Sequence, residues 1–237
     1  MNIEERSSII GSKAPKLSVV LPTYNEEDNI MLVLTKINKQ LLGLCSFEII
    51  IVDDGSTDQT AHLIQEYMVL DPHVRMICHK KNKGYGAAVS TGLTAALGEY
   101  VFFSDSDGQF DFQELPQFLF LIQYCDLVIG YRKTREDPYH RKLNSYLWTK
   151  LNNYYLDLNV RDLNCAFKLF RRSFVESLHL DVDGASINAV ILTQAREQNL
   201  RIIQSPVQHF PRHGGTQTGA KPSVIFRALG EFFRQVL

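Results

Sequence analysis

No stretch of this 237-residue chain approaches the roughly 18–20 consecutive apolar residues that a bilayer-crossing helix requires. The opening residues, MNIEERSSIIGSKAPK, carry acids early and no hydrophobic segment, so no secretory signal is expected. Cysteine is sparse. Cys45, Cys78, Cys125 and Cys165 stand far apart with no C-x-x-C pair, which excludes zinc spacing and argues against a disulfide framework. Surplus charge is also missing: Lys+Arg 25 against Asp+Glu 26 leaves a formal net charge of -1. A chain so balanced is not built around nucleic-acid contacts, and any anion site must be local. Repeats and low-complexity tracts are absent. These absences leave a reduced-thiol, cytoplasmic protein as the expectation. A hydrophobic content of 45% supplies a sizeable core. The length suits a flexible tail over residues 1–16 followed by one domain over residues 17–237.

The first half alternates strand-length apolar runs with helical patterns. Leu17–Leu21 and Phe47–Val52 are apolar on both faces, as buried parallel strands are, and Val74–Cys78 and Tyr100–Ser104 fit the same role. Ile30, Val33, Leu34, Ile37 and Leu41 recur at helical spacing behind Asn25, an expected N-cap. Ser56 with Gln59 has the form of a capping box opening a helix through Ile64 and Tyr67, and Gly84–Leu97 is helical in pattern. Alternating strands and helices imply βαβ units and an α/β fold with a mostly parallel sheet. Further on, strands are expected at Leu127–Gly130, Ala166–Phe170 and Ile202–Val207. Helices are expected at Leu143–Tyr155, Ile187–Gln198 and, amphipathic, Pro222–Val236.

In open parallel sheets, ligands bind outside the carboxyl ends of the strands. Three polar clusters fall there: Pro22-Thr23-Tyr24-Asn25-Glu26, Asp53-Asp54-Gly55-Ser56 and Ser104-Asp105-Ser106-Asp107-Gly108-Gln109. Each alone is an ordinary strand exit, but three carboxylate-bearing exits at one edge point to a site. In an extended segment Asp105 and Asp107 share a face, so both carboxylates can reach one ion. Oxygen donors of this kind suit Mg²⁺ or Mn²⁺ and leave coordination positions for a diphosphate. Lys83-Gly84-Tyr85-Gly86-Ala87-Ala88-Val89 is not a dinucleotide fingerprint, because Val89 replaces the third glycine and the run follows the third strand. Its glycines are expected to let a helix pack closely on the sheet, while Lys83 either faces a phosphate or stands solvated.

The runs LSVVLPTYNEEDNI, EIIIVDDGSTDQT, NKGYGAAVSTGL and GEYVFFSDSDGQFD resemble the family 2 glycosyltransferases of the GT-A fold. Within these the chain is most similar to the polyprenyl-phosphate (dolichyl-phosphate) mannosyl- and glucosyltransferase branch. The resemblance implies a GT-A fold, with a Rossmann-like, mostly parallel sheet flanked by helices. Residues 17–130 would be its nucleotide-binding half and 131–237 its acceptor side. Pro22, Tyr24, Glu26 and Asp54 would hold the nucleoside, with Val52 and Asp53 along the same wall. Asp105 and Ser106 would meet the nucleotide, and Asp107 with Gln109 and Asp105 would bind the divalent ion. Arg132 matches an arginine placed at the diphosphate, Arg141 and Ser145 match an R-x-x-x-S segment on the acceptor side, and Arg172, also on the acceptor side, closes the stretch that follows Asp162. Arg212 matches the arginine of an R-x-x-G-x-S-K loop. The implied catalytic set is Asp105, Asp107, Arg132 and Arg212.

Departures from the pattern gather on the acceptor side: Cys165-Ala166 before Phe167, Val190 where a glutamate is common, and Gln217-Thr218 in the loop. The implied reaction moves a hexose, with inversion, from a nucleotide-diphosphate sugar of GDP-mannose or UDP-glucose type. A hydroxyl acceptor needs a general base, whereas a phosphate monoester arrives ionised. Val190 therefore leans the reading toward a polyprenyl phosphate. The basic stretch Arg132, Lys133, Arg135, His140, Arg141 and Lys142 suits such a head or is a solvated loop. The helix Pro222–Val236 either packs on its own domain or makes a peripheral contact at the inner face of the membrane. A soluble or glycan hydroxyl acceptor stays open, as does a non-catalytic sugar-nucleotide-binding module.

Overall fold

The computed structural model describes residues 14–134, 139–182, 184, 186–212 and 214, with no account of the side chains at 134 and 139–141. Seven strands form one sheet: β1 (Leu17–Thr23), β2 (Phe47–Asp53), β3 (Val74–Cys78), β4 (Tyr100–Phe103), β5 (Leu127–Thr134), β6 (Lys168–Arg171) and β7 (Ile202–Gln208). Their order is β3-β2-β1-β4-β6-β5-β7. Only β6 runs against the others, paired antiparallel with both β4 and β5. Every residue of β1 and β2 is buried, as their two-sided apolar pattern requires.

The helices are α1 (Ile30–Leu41), α2 (Thr60–Leu70), α3 (Tyr85–Ala95), α4 (Leu115–Leu121), α5 (Tyr139–Tyr155), α6 (Arg172–Glu176) and α7 (Ile187–Glu197). On α1 the buried residues are Ile30, Val33, Leu34, Ile37 and Leu41, the stripe expected from spacing. Helix α3 lies on β1 and β2, and Gly92 makes this approach possible: a Cβ there would stand 2.3 Å from Val20 Cγ1. The chain passes from β1 outward through β2 to β3, then returns to β4 on the other side of β1. The strand order thus reverses between β1 and β4, which opens a crevice at their carboxyl ends.

Several local expectations are corrected. Helix α1 begins five residues beyond Asn25, which instead adopts a left-handed turn (φ 54°). Its N–H donates to Ser56 Oγ at 2.9 Å and its Oδ1 accepts from Thr57 N at 2.8 Å, so Asn25 ties the β1 exit to the β2 exit. That bond takes Ser56 away from a capping box, and Gln59 caps α2 without a side-chain bond. Helix α4 was not legible: it is seven residues long and flanked by 3₁₀ turns. It buries Leu115 and Phe118, the latter edge-on to Phe167 at 4.8 Å in a cluster with Phe102, Phe110 and Phe112. Pro15 and Lys16, assigned to the tail, belong to the packed body. Pro15 is buried and its carbonyl accepts from Glu99 N, while Lys16 pairs with Glu99 at 2.5 Å. The expected loop at residues 213–221 (apart from Gly214) and the helix Pro222–Val236 lie outside the described residues.

Candidate active site

Three strand exits converge on the crevice between β1 and β4. After β4 the chain bends over residues 106–108, with Gly108 at φ 75°, and burial alternates: Ser104, Ser106 and Gly108 are buried, while Asp105 and Asp107 keep some exposure. Asp105 and Asp107 thus stay partly open to the crevice while the residues between and beside them are buried. Ser106 points the other way. Its hydroxyl donates to the Pro22 carbonyl at 2.9 Å, which ties β4 to β1 rather than offering the hydroxyl to a ligand.

Enclosure and mutual repulsion act strongly on the acidic pair. Desolvation pushes the Asp105 carboxyl up to about 7, with the Asp107 charge adding to the rise. Asp107 is raised as well, by desolvation, against the opposing pull of the Gln109 N–H, Arg212 and Arg132. Tyr85, the first residue of α3, donates its hydroxyl to Asp105 Oδ1 at 2.9 Å. Gln109 N donates to Asp107 Oδ1 at 3.1 Å, while its side-chain Nε2 is used on the Phe210 carbonyl at 2.9 Å.

The nucleotide wall expected from β1 and β2 is rearranged. Val52 is fully buried, in the core beneath Gly92, and presents no side chain to a ligand. Pro22 is buried beside it, Tyr24 is half-buried at the rim, and Asp53 accepts from Ser56 N at 3.1 Å. Asp54 turns into its own scaffold. Oδ1 takes Lys83 N at 2.9 Å and lies 2.6 Å from His79 Nδ1, and Oδ2 takes Gly84 N at 2.8 Å. His79 Nε2 in turn lies 3.0 Å from Thr91 Oγ1 of α3. Asp54 thus organises the loop between β3 and α3, on which the Lys83 side chain stands exposed. Gly55 allows that loop to pass: its φ is 73°, and a Cβ would meet Asn82 N at 2.8 Å.

Arg132, expected at the diphosphate, and Arg212, the other arginine of the implied catalytic set, each hold a carboxylate. Arg132 makes a bidentate pair with Asp162, Nε to Oδ2 at 2.7 Å and Nη2 to Oδ1 at 2.8 Å. Arg212 Nη2 meets Glu26 Oε2 at 2.5 Å, and its Nε donates to the Gly214 carbonyl. Burial raises the Glu26 carboxyl despite the hydrogen bond from Asn29 and the charge of Arg212. Arg132 sits where β5 bulges against β7, between residues 132 and 134, a distortion that re-aims a side chain at a strand end.

Beyond Arg132 opens a cavity of about 370 Å³ lined by Lys133, Lys142, Ser145, Tyr146, Arg161 and Asp162 among others. Ser145 lines this cavity. Arg161, unforeseen, stacks 4.6 Å from the Tyr131 ring centroid. The Arg141 side chain lies outside the described residues. Arg172 is a correction. Because β6 is antiparallel to β4, its end lies at the start of β4, and Arg172 Nη1 reaches the Leu97 carbonyl at 2.7 Å and Nε reaches Glu176 at 2.7 Å. It stands at the opposite end of the strands from that cavity.

A mostly parallel sheet with a strand-order reversal, acidic exits at β4 and a basic cavity beyond β5 defines a GT-A, nucleotide-sugar-transferase type of fold. The sequence profile of Glycosyl transferase family 2 matches residues 18–178, and the chain belongs to that family. It is 30% identical over 227 residues to dolichol-phosphate mannosyltransferase of Pyrococcus furiosus, spanning 92% of this chain and 63% of that one. It is also 30% identical to dolichyl-phosphate beta-glucosyltransferase of Dictyostelium discoideum, spanning 84% of this chain and 69% of that one. A low-salt glycan biosynthesis hexosyltransferase of Haloferax volcanii is 28% identical across 85% of this chain. The chain spans 49% of that relative's length. These relatives include the polyprenyl-phosphate branch that the motifs resemble. Among solved structures, glucosyl-3-phosphoglycerate synthase of Mycobacterium tuberculosis superposes with a TM-score of 0.72 at 19% identity, covering 100% of this chain and 84% of that one. A mannosyltransferase of Pyrobaculum calidifontis in complex with GDP-Man and Mn²⁺ gives 0.64 at 19% identity, covering 94% and 65%.

Proposed function

We propose that this chain is a metal-dependent, inverting glycosyltransferase that moves a hexose from a nucleotide-diphosphate sugar to a polyprenyl phosphate. The observation that carries this reading is the juxtaposition of two part-enclosed carboxylates, Asp105 and Asp107, with Arg132 and the cationic cavity behind it. The acidic pair fits a hard divalent cation. Each carboxyl is held above its ordinary range by desolvation, and a bound cation would relieve that cost. No third His, Cys, Asp or Glu joins them among the described residues. Mg²⁺ and Mn²⁺ accept such a site, keeping waters and taking diphosphate oxygens as their other ligands.

Asp105 and Asp107 would hold the ion, which when bound supplies Lewis acidity at the departing diphosphate. Arg132 and Arg212 would bring charge-assisted donors to the same phosphates, drawing partly away from Asp162 and Glu26. The anomeric carbon passes through an oxocarbenium-like state and is attacked from the opposite face. A phosphate acceptor needs no base, which suits Val190 on α7, and the lysines and arginines of the cavity would orient its head. Helix α5 exposes Leu143, Tyr146 and Leu147 beside that cavity, which supports a peripheral membrane contact. No helix among the described residues is long and apolar enough to cross a membrane.

The test is a transfer assay with GDP-mannose, UDP-glucose and UDP-GlcNAc, each offered a polyprenyl phosphate, a soluble phosphate monoester and a sugar alcohol in Mn²⁺. Label entering the lipid fraction from one donor is the expected result. Transfer only to a soluble or hydroxyl acceptor removes the lipid assignment, and binding without turnover of any donor makes the chain a sugar-nucleotide-binding module.

A further inference from the structure

Each carboxylate of the acidic pair has one oxygen already engaged inside the protein. Asp105 Oδ1 accepts from the Tyr85 hydroxyl at 2.9 Å, and Asp107 Oδ1 accepts from Gln109 N at 3.1 Å. No hydrogen bond from another described residue reaches Oδ2 of either. The bond to Asp107 comes from the backbone and does not depend on which side chain stands at 109. The bond to Asp105 depends on a single side-chain atom.

Tyr85 is held from two sides. Its ring packs against the core, so a phenylalanine would fill the same space and the hydroxyl adds nothing to that packing. Its backbone opens α3 directly after Gly84, whose φ of 110° favours glycine. Asp54 holds this entry, Oδ1 on Lys83 N and Oδ2 on Gly84 N, a carboxylate at a helix N-terminus as the dipole favours. The β2 exit thus sets where Tyr85 begins, and Tyr85 sets how Asp105 is turned at the β4 exit.

A carboxylate gripped by one oxygen is restricted in how it can meet a cation. With Oδ1 engaged, Asp105 offers Oδ2 rather than a symmetrical two-oxygen bite. Mg²⁺ demands near-octahedral geometry and is bound through one or two carboxylates, whereas Ca²⁺ is larger, adapts its shell and accepts both oxygens of one carboxylate. We propose that Tyr85 is a positioning residue that sets the choice of cation. By engaging Oδ1 it confines Asp105 to one oxygen and favours Mg²⁺ or Mn²⁺ over Ca²⁺. This rests on the reading of Asp105 and Asp107 as the cation site, and it adds a selectivity that two unsupported carboxylates would not have.

The test measures Mn²⁺ binding to the full chain by electron paramagnetic resonance of the free ion, with GDP or UDP present. Ca²⁺ is then added to displace the bound Mn²⁺, and thermal melting runs alongside. Tyr85→Phe should weaken Mn²⁺ binding about tenfold, the lower end of what losing a ligand's supporting hydrogen bond costs. Ca²⁺ should lose far less, so the Ca²⁺ excess that displaces half of the Mn²⁺ should fall about fivefold or more. Mn²⁺ and Ca²⁺ binding weakened by the same factor would overturn the proposal, because the hydroxyl would then support the site without choosing its ion. A variant that melts lower yet keeps the wild-type affinities for both ions would overturn it as well, leaving the hydroxyl a purely structural part. A wild type that binds no Mn²⁺ with either nucleotide overturns the metal reading itself and the inference with it.

Discussion

Arg212 and Glu26 stand 186 residues apart and meet as a 2.5 Å ion pair, with side chains only 12% and 11% exposed. The pair closes the β7 exit over the β1 exit, and Asn29 reinforces it by donating to both Glu26 Oε2 and the Gly214 carbonyl.

Arg212→Ala should therefore cost stability as well as activity. It leaves a nearly buried carboxylate without its cation, a loss of about 1–3 kcal/mol. Adding Glu26→Gln to Arg212→Ala should recover part of it. Urea melts of the three variants check this, and an Arg212→Ala midpoint equal to the wild type would show that the pair contributes nothing.

Asp162→Asn tests the other clamp. It keeps the shape beside Arg132 but removes the charge from a bidentate partner, an effect of about 1.5–3 kcal/mol, or roughly 10–150-fold, on any step that depends on the guanidinium. Turnover should fall within that range while the far-ultraviolet circular dichroism stays unchanged. Undiminished turnover would leave Arg132 without need of Asp162.

The raised Asp105 carboxyl gives a pH signature. The native state keeps a proton that the unfolded chain releases, so stability is full at low pH and declines as pH rises from about 4 through about 7. Asp105→Asn cannot ionise and should escape that decline. In chelator, it should melt at least about 2 °C above the wild type at pH 8, a shift worth roughly 1 kcal/mol in a domain of this size. The gap should close near pH 3.5. A gap that is constant with pH would place the cause elsewhere.

Asp54→Asn should release the loop between β3 and α3. The three bonds to His79, Lys83 N and Gly84 N weaken together, so amide exchange at Lys83 and Gly84 should accelerate about tenfold or more, about 1.4 kcal/mol in local opening. Unchanged exchange would return Asp54 to a purely ligand-facing role.

The parts of the fold that rest on short-range pattern were legible. Strands β1 and β2 announce themselves by two-sided apolar runs, and α1 by its stripe. Choices made across space were not. Whether Asn25 caps a helix or staples two loops depends on Ser56, 31 residues away. The partners of Arg132 and Arg212 come from 30 and 186 residues off. The reversal of β6 moved Arg172 to the edge away from the basic cavity, and no local signal marks a strand's direction. The fully buried Lys168 did leave a trace, a single charge inside the apolar run Ala166-Phe167-Lys168-Leu169-Phe170, but Asn188, whose Oδ1 accepts from it at 2.7 Å, left none.

The most direct measurement is turnover of the preferred donor by wild type and Asp107→Ala, side by side, in Mn²⁺ and in EDTA. The wild type should transfer sugar only with the metal. Asp107→Ala should lose at least about 10²–10³-fold, the scale of removing a group that stabilises transition-state charge, while melting normally. Full activity of Asp107→Ala in EDTA would contradict the assignment of the acidic pair, and with it the mechanism.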